Sequence, residues 1–366
     1  MTKAVLFDTL FLTKNREKCI LKVLNSKDEP LPESLKPSQK LDGRKDASQK
    51  NLLLLKPRGF CAGVVRAIDI VRIALEAFGP PIYVRKEIVH NRFVVEELQG
   101  KGAIFVDSVD EVPNGERVIY SAHGVSPEVR QASKDRRLRV IDATCPLVTK
   151  VHVEAVKFAK EGYSLILIGH RDHDEVIGTL GEAPAVTQVV GSPAQVESLT
   201  VPDVDRVAYL TQTTLSLDEA RDIIEALRRK FPNIKGPHAQ DICYATENRQ
   251  VAVKHVAEDA DLLLVVGSEN SSNSNRLVEV ARNLGTASHL IDSCEDIQPE
   301  WLEGVTTIAL TAGASAPECL VEEVVEFLST KGFNNLEEVE VMPENVRFGL
   351  PPEIVEAIAA APAAGA

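Results

Sequence analysis

Four absences limit what this chain of 366 residues could be. It contains no apolar run as long as a membrane span, so it is not expected to cross a membrane. It has no excess of basic residues, because 41 lysines and arginines stand against 54 aspartates and glutamates and give a net charge of −13. A nucleic acid or an anionic membrane surface is therefore not an expected partner. An anionic ligand would depend on helix N-termini, histidines and hydroxyl groups instead.

The six cysteines form no CxxC pair, which excludes the usual zinc-ribbon and ferredoxin spacings. The first fifty residues carry acidic side chains, and they lack a basic leader followed by a small-residue cleavage site. Neither a transit peptide nor a secretory signal is therefore expected. These observations predict a cytoplasmic chain with reduced thiols rather than a disulfide scaffold.

Three of the cysteines share one local pattern. Cys61, Cys145 and Cys243 each come just before a helical pattern, and the first two follow a predicted strand. A thiol at such a corner lies near free amide groups and the positive end of a helix, which lower its pKa and favour thiolate. The spacings of 84 and 98 residues each suit one small α/β unit. We interpret the pattern as three units that each deliver one thiolate to a common centre, although buried cysteines are also common core residues.

Apolar strands alternate with amphipathic helices from about Leu52 to Thr330, which predicts an α/β fold with parallel sheets. Polar residues cluster after the predicted strands, where open α/β sheets bind their ligands. The predicted organisation is a flexible N-terminal extension (1–50), three similar α/β units (51–145, 146–240 and 241–340) and a C-terminal tail (341–366).

Several long motifs occur in a fixed order along the chain: RGFCAGV, AHG, DATCPLV, TQTT, DICYAT, GSENSSNSNRL and TAGASAP. They resemble those of hydroxymethylbutenyl diphosphate reductase, the LytB or IspH family of isoprenoid biosynthesis, from about Leu52 to about Pro351. The resemblance implies three small α/β domains arranged with pseudo-threefold symmetry around a central iron–sulfur cluster. It also implies one [4Fe-4S] cluster per chain, held by Cys61, Cys145 and Cys243, with one iron left open.

Such a cluster passes single electrons, and its open iron is a Lewis acid that binds a hydroxyl group. Both properties suit the reaction that the resemblance implies, which is reductive removal of the allylic hydroxyl of 4-hydroxy-3-methylbut-2-enyl diphosphate. The products would be isopentenyl diphosphate and dimethylallyl diphosphate, at the last step of the methylerythritol phosphate pathway. Reduced ferredoxin or flavodoxin is the expected electron donor.

The resemblance assigns further site residues. The family's diphosphate-binding motifs match His90, His123, His173, Ser271, Ser272, Asn273 and Ser315. Glu175 matches the proton donor, and Thr213 matches the residue that binds the substrate hydroxyl and links it to Glu175. Taken alone, the histidines would be ordinary loop residues and the Ser/Asn run an ordinary helix cap. Asp174 stands where the family commonly has proline, which adds a negative charge beside Glu175.

Two other functions are open at this point. One is a hydratase or lyase that uses an open-iron cluster without changing its redox state. A dependence on reduced ferredoxin or flavodoxin would distinguish the reductase from such an enzyme. The other is an oxygen or iron sensor that uses the cluster as a switch. A sensor would need a partner surface or a DNA-binding segment, and neither is evident in the sequence.

Overall fold

The computed structural model describes residues 49–360. They divide into two units: one joins the described residues up to Phe60 to Asn248–Glu344, and the other joins Cys61–Glu247 to the residues from Asn345 onward. The predicted flexible extension, 1–50, lies outside the described residues except for its last two. Within the described part of the chain, no helix is both long enough and apolar enough to cross a membrane.

The described residues form twelve strands, eleven α-helices and several short 3-10 turns. The strands are β1 (Asn51–Lys56), β2 (Ile82–Arg85), β3 (Ala103–Val106), β4 (Arg117–Tyr120), β5 (Arg139–Asp142), β6 (Ser164–Ile168), β7 (Thr187–Val190), β8 (Val207–Thr211), β9 (Leu262–Val266), β10 (Ala287–Ile291), β11 (Thr307–Ala312) and β12 (Asn335–Glu340). The helices are α1 (Ala62–Phe78), α2 (Arg92–Gly100), α3 (Pro127–Asp135), α4 (Pro146–Lys160), α5 (Asp174–Glu182), α6 (Pro193–Glu197), α7 (Leu217–Lys230), α8 (Tyr244–Val256), α9 (Ser272–Asn283), α10 (Glu318–Thr330) and α11 (Pro352–Ala360).

The described strands form three sheets, and every pairing between them is parallel. The first unit holds one sheet in the order β10-β9-β11-β1-β12, and the second holds β3-β2-β4-β5 and β7-β6-β8. The strands β8, β9 and β11 are buried at every residue, as expected for parallel strands covered on both faces. The predicted α/β class with parallel sheets is confirmed, whereas the pseudo-threefold arrangement stays a prediction.

The first strand departs from the predicted organisation. The predicted limits assign Asn51–Lys56 to the unit 51–145, whereas β1 pairs with β11 and β12 in the sheet of the first structural unit. Periodicity identifies a strand, but it does not specify which distant segment the strand pairs with. The tail predicted for 341–366 also contains a regular element, the helix α11. The other predicted domain limits stay a proposal.

The predicted site residues follow the carboxyl ends of parallel strands. In the second unit, five predicted site residues lie within five residues of the end of a strand. They are His90 after β2, His123 after β4, Cys145 after β5, His173 after β6 and Thr213 after β8. In the first unit, Ser271 follows β9 and Ser315 follows β11 in the same way. Because parallel strands point in one direction, the residues that follow them gather at one edge of each sheet, where open α/β sheets bind ligands.

Candidate active site

The three predicted cysteine ligands lie at helix starts in the second unit. Cys61 is the N-cap residue of α1, Cys145 is that of α4, and Cys243 directly precedes α8. The amide of Thr246, in the first turn of α8, donates to Sγ of Cys243 at 3.4 Å. The thiols also interact electrostatically, since the charges of Cys61 and Cys243 both act on Cys145. The structure therefore brings together the three cysteines that the sequence singles out.

Two of these thiols, Cys145 and Cys243, are harder to ionise than the sequence pattern suggests. Burial, followed by the neighbouring Cys61, raises the pKa of Cys145 to about 12 and that of Cys243 to about 11. The amides of Leu147 and Val148 at the start of α4 lower the pKa of Cys145, but they are weaker than burial. The expectation of a lowered thiol pKa is therefore wrong for the protein alone. A bound metal would reverse the balance, because metals bind thiolates and displace their protons.

Gly63 leaves room beside two of the sulfurs. A Cβ atom at this position would lie 2.7 Å from Sγ of Cys145 and 3.8 Å from Sγ of Cys61. A single metal ion needs at least three ligand atoms close together. In the described part of the chain, His90, His123 and Asp174 form such a group, with ligand atoms that all lie within 4.8 Å of one another. Among the described residues, Cys61, Cys145 and Cys243 do not form such a group. An iron–sulfur cluster distributes its thiolate ligands over several irons, so three cysteines at helix starts fit this kind of centre.

The remaining described cysteines lie in the first unit. Cys294 is a buried free thiol, and burial followed by the charges of Glu323 and Glu295 raises its pKa to about 12. Its burial indicates a packing role. Cys319 is disulfide-bonded, so the prediction of reduced thiols is wrong at that position, although it is confirmed for Cys61, Cys145, Cys243 and Cys294.

Three predicted histidines form a compact cluster. The rings of His90 and His123 stack with their centroids 4.0 Å apart, and His173 meets them edge-on at 5.5 and 5.8 Å. Burial, followed by the neighbouring imidazoles, holds the pKa of His123 well below its usual range and lowers that of His173 to about 3. His123 and His173 are therefore neutral at pH 7, and an anion close to them would favour their protonation.

The hydrogen bonding of His173 fixes which of its ring nitrogens can donate. His173 is the N-cap residue of α5, and its Nδ1 accepts from the amide of Glu175 at 3.2 Å. A neutral imidazole that accepts at Nδ1 carries its proton on Nε2. The Nε2 atom is therefore a donor suited to an anion, and the same bond helps to position Glu175.

Glu175 and Thr213 form a buried acid–hydroxyl pair. The amide of Thr213 donates to Oε1 of Glu175 at 2.6 Å, and its hydroxyl donates to Oε2 at 2.8 Å. Burial raises the pKa of Glu175 to about 7; the bonds from Thr213 oppose this shift, and the charge of Asp241 adds to it. At neutral pH this carboxyl group is close to its midpoint and has a proton to give. The two residues thus make the contact that the resemblance implies.

The predicted polar residues of the first unit gather at the start of α9. Ser271 is its N-cap residue, and its hydroxyl accepts from the amide of Ser274 at 3.3 Å and lies 3.4 Å from the hydroxyl of Ser315. Asn273 accepts from the amide of Ala314 at 2.8 Å through its side-chain oxygen. Ser272 is the first residue of the helix and is half-buried. These contacts hold hydroxyl and amide groups beside a helix N-terminus, where anions are stabilised.

Sequence reasoning missed two charged residues beside the cysteines. Asp241 is buried two residues before Cys243, and the ammonium group of Lys150 on α4 donates to its Oδ1 at 2.8 Å. The aspartate begins the DICYAT motif, which was the available signal. Nothing in the sequence pattern points to Lys150, because its partner is 91 residues away.

The model of the LytB protein family matches residues 52–329, most of the chain. The chain belongs to the LytB family. Relatives named 4-hydroxy-3-methylbut-2-enyl diphosphate reductase include one from Acidothermus cellulolyticus, 55% identical over 84% of this chain and 90% of the relative. Another, from Actinobacillus pleuropneumoniae serotype 5b, is 56% identical over 83% of this chain and 98% of the relative. This LytB chain thus spans nearly the full length of both relatives.

Solved structures agree with the family assignment. The E-1-hydroxy-2-methyl-but-2-enyl-4-diphosphate reductase of Plasmodium falciparum is 43% identical, with a TM-score of 0.83, over 85% of this LytB chain and 98% of that chain. A second structure, of (E)-4-hydroxy-3-methyl-but-2-enyl diphosphate reductase, is described as the terminal enzyme of the non-mevalonate pathway. It is 31% identical, with a TM-score of 0.56, over 77% of this chain and 100% of that one.

The position of Gly63 generates a prediction for metal uptake. Gly63→Ala places a methyl group 2.7 Å from Sγ of Cys145, so that sulfur must turn away from the centre. We expect the variant to take up much less iron and sulfide during anaerobic reconstitution, measured per chain by chemical analysis. Gly100→Ala is the control, because a Cβ atom at that position meets nothing within 4 Å. Equal iron content in the Gly63→Ala variant and the wild type would contradict a centre beside this glycine.

Proposed function

We propose that this chain is an oxidoreductase that converts 4-hydroxy-3-methylbut-2-enyl diphosphate to isopentenyl diphosphate and dimethylallyl diphosphate. The observation that carries the proposal is the convergence of three free cysteines at helix starts, in a chain about 55% identical to reductases of this name. The reaction removes the allylic hydroxyl as water and consumes two electrons and two protons. It is the terminal step of the non-mevalonate pathway, as described for the solved relative.

The donor set supports an iron–sulfur cofactor, one [4Fe-4S] cluster per chain. Cys61, Cys145 and Cys243 would each hold one iron, and the fourth iron would have no protein ligand. When bound, such a cluster supplies single electrons and a Lewis-acidic iron for the substrate hydroxyl. The absence of a side chain at Gly63 lets the sulfurs of Cys145 and Cys61 lie close to this helix start, which suits a shared centre. Ferredoxin or flavodoxin is the proposed electron donor, and a cytoplasmic location stays a prediction.

The predicted diphosphate-binding residues form one group within each unit, and each group offers donors for phosphate oxygens. In the second unit, His90, His123 and His173 offer imidazole nitrogens. The ring of His173 is oriented by the bond that its Nδ1 accepts from the amide of Glu175, and its proton is then on Nε2. An approaching diphosphate raises the pKa of such histidines, so they gain positive charge as the ligand binds. In the first unit, Ser271, Ser272, Asn273 and Ser315 would donate from the start of α9 and the loop after β11.

Glu175 would supply a proton to the reaction. Hydroxide is a poor leaving group, so the departing oxygen needs a proton from a nearby acid. The raised pKa of about 7 keeps a substantial fraction of Glu175 protonated at neutral pH. The hydroxyl of Thr213 is bonded to this carboxyl group and would relay the proton to the substrate hydroxyl. The non-redox hydratase gains no support from the relatives, which are named as reductases.

The cysteine assignment predicts a separation between ligand and packing thiols. Changing Cys61, Cys145 or Cys243 individually to serine should abolish cluster absorbance and anaerobic turnover, because each change removes one iron ligand. Cys294→Ser is the control, since this buried thiol lies in the first unit and has a packing role. The measurement pairs iron and sulfide analysis with a visible spectrum. Retention of full cluster content by any of the first three variants would remove that cysteine from the ligand set.

Glu175 generates a prediction for rate and pH. Glu175→Gln keeps the shape of the side chain but has no carboxyl proton, so turnover should fall roughly 100- to 10,000-fold while the cluster stays bound. The acid form is present below its pKa, so the wild-type rate should decline as pH rises through about 7. Anaerobic turnover with an artificial reductant tests both effects. Asp174→Asn should change the rate little. A Glu175→Gln enzyme with normal turnover and full cluster would refute the assignment.

The polar residues at the start of α9 generate a prediction for binding of the diphosphate substrate. Asn273→Ala removes the oxygen that accepts from Ala314, and with it the bond that holds the loop before Ser315. The affinity for the diphosphate substrate should therefore fall, with no loss of iron or sulfide. Anaerobic calorimetry with the substrate measures this change. Asn275→Ala is the control, because that side chain bonds carbonyl groups of Glu269 and Ser271 within its own segment. Equal affinities of the Asn273→Ala variant and the wild type would contradict the proposal.

A further inference from the structure

Lys150 connects two cysteine-bearing segments of the second unit. It lies on α4, the helix that Cys145 begins. Its ammonium group donates to the carbonyl oxygens of Ala239 and Gln240 and to Oδ1 of Asp241 at 2.8 Å. These contacts use the three donor positions of a lysine. The segment just before Cys243 is thus fastened to the helix that starts at Cys145.

Asp241 extends this connection to the strand that leads to Thr213. Its second oxygen, Oδ2, accepts from the amide of Thr211 at 2.9 Å, at the end of β8. Two residues further on, the carbonyl of Thr213 accepts from the amide of Cys243 at 3.0 Å. One carboxylate therefore holds the Cys243 loop against the strand end that positions Thr213, and Thr213 in turn bonds Glu175.

The contacts of Asp241 link α4 to the end of β8 through one buried side chain. Its side chain is 0% exposed and the side chain of Lys150 is 27% exposed, so the pair is largely shielded from water. Both carboxylate oxygens of Asp241 have partners on different segments. A buried carboxylate with both oxygens bonded restricts movement of everything attached to it, and removing one partner leaves an uncompensated charge. The pair is therefore suited to hold a fixed distance between α4 and the Cys243 loop.

We propose that Lys150 and Asp241 are positioning residues that fix Cys243 relative to Cys145 and to the Glu175–Thr213 pair. Neither residue touches the reacting atoms. They act through the backbone, by holding the loop 239–243 and the end of β8 in place before a metal binds. The consequence for metal retention rests on the proposed iron–sulfur centre, whereas the consequence for the loop itself does not.

The first test measures the loop without any metal. Hydrogen–deuterium exchange followed by mass spectrometry reports on the amides of Thr211 and Cys243 in wild type, Lys150→Met and Asp241→Asn. Both variants remove the charge of one partner and keep a side chain of similar size. We expect faster exchange in the peptides that contain residues 211–213 and 239–246. Unchanged exchange in both peptides would contradict the positioning role of Lys150 and Asp241, whether or not the chain binds iron.

The chain offers a control pair of similar exposure, in which Glu97 also pairs with Arg72 at 2.8 Å. Lys101 and Glu97 form an ion pair of 2.7 Å whose side chains are 29% and 1% exposed, close to the values for Lys150 and Asp241. This pair lies within and just after α2, and none of the proposed cluster ligands is on that helix. Lys101→Met should therefore leave exchange at 239–246 unchanged. Faster exchange there in the control would mean that any loss of a partly buried ion pair loosens the loop.

The second test measures metal retention. After anaerobic reconstitution with iron and sulfide, the variants are treated with a ferrous-iron chelator and the loss of iron is followed with time. Residues that hold metal ligands in place typically contribute about 10- to 100-fold to metal affinity, so Lys150→Met and Asp241→Asn should lose iron faster by about that factor. Lys101→Met should lose it at the wild-type rate. A wild type that takes up no iron would refute the proposed iron–sulfur centre. The exchange result would still test whether Lys150 and Asp241 hold the loop in place.

The double variant separates positioning from stability. Lys150→Met with Asp241→Asn removes both charges of this pair, while Glu154, whose carboxylate lies 3.7 Å from the ammonium group of Lys150, keeps its charge. The melting temperature should therefore recover part of the way toward that of the wild type. The asparagine oxygen can still accept from Thr211, but the link to α4 is gone. Iron loss should therefore stay fast although thermal stability partly returns. Recovery of both stability and iron retention in the double variant would show that the pair acts only by stabilising the fold.

Discussion

Three half-buried thiols within electrostatic reach of one another set the conditions for the rest of this molecule. Burial and the neighbouring Cys61 hold Cys145 and Cys243 in the protonated form, with pKa values of about 12 and 11. Helix-start amides oppose this effect without overcoming it. Positive charge of the magnitude that a metal centre provides turns such thiols into thiolates. The protein contributes the geometry, through helix starts and the space at Gly63, and the proposed cluster contributes the charge.

The same burial prepares the other functional groups by keeping them uncharged. It lowers the pKa of His123 and His173, which are bases, and raises the pKa of Glu175, which is an acid. Both shifts favour the neutral form, since a charged group loses hydration when it is buried. A diphosphate bound beside His123 and His173, as proposed, would oppose this shift and favour uptake of protons by the two imidazoles. Such a site would suit an anion although the chain has a net charge of −13.

Positions that depend on nearby residues were predictable from the sequence. The corner at Cys145 follows from a strand, a turn and Pro146 at the first helical position, all within a few residues. The sheet of β1 was not predictable in this way, because its partners β11 and β12 lie more than 200 residues further along the chain. The contact between Glu175 and Thr213 was anticipated only through family resemblance, since 38 residues separate the two. The partnership of Lys150 with Asp241 had no comparable motif to reveal it.

The sequence by itself determined the alternation of strands and helices, the polar residues at the strand ends and the three cysteines at helix starts. These features arise from hydrogen bonding and side-chain periodicity within one segment, so local residues suffice to specify them. Only the tertiary structure decided the direction of the pKa shift at Cys145 and Cys243. Their local helix starts favour thiolate, but the degree of burial and the nearness of another thiol depend on segments 84 to 182 residues apart in the chain. Desolvation and repulsion between such segments outweigh the local effect, and no single stretch of sequence contains them.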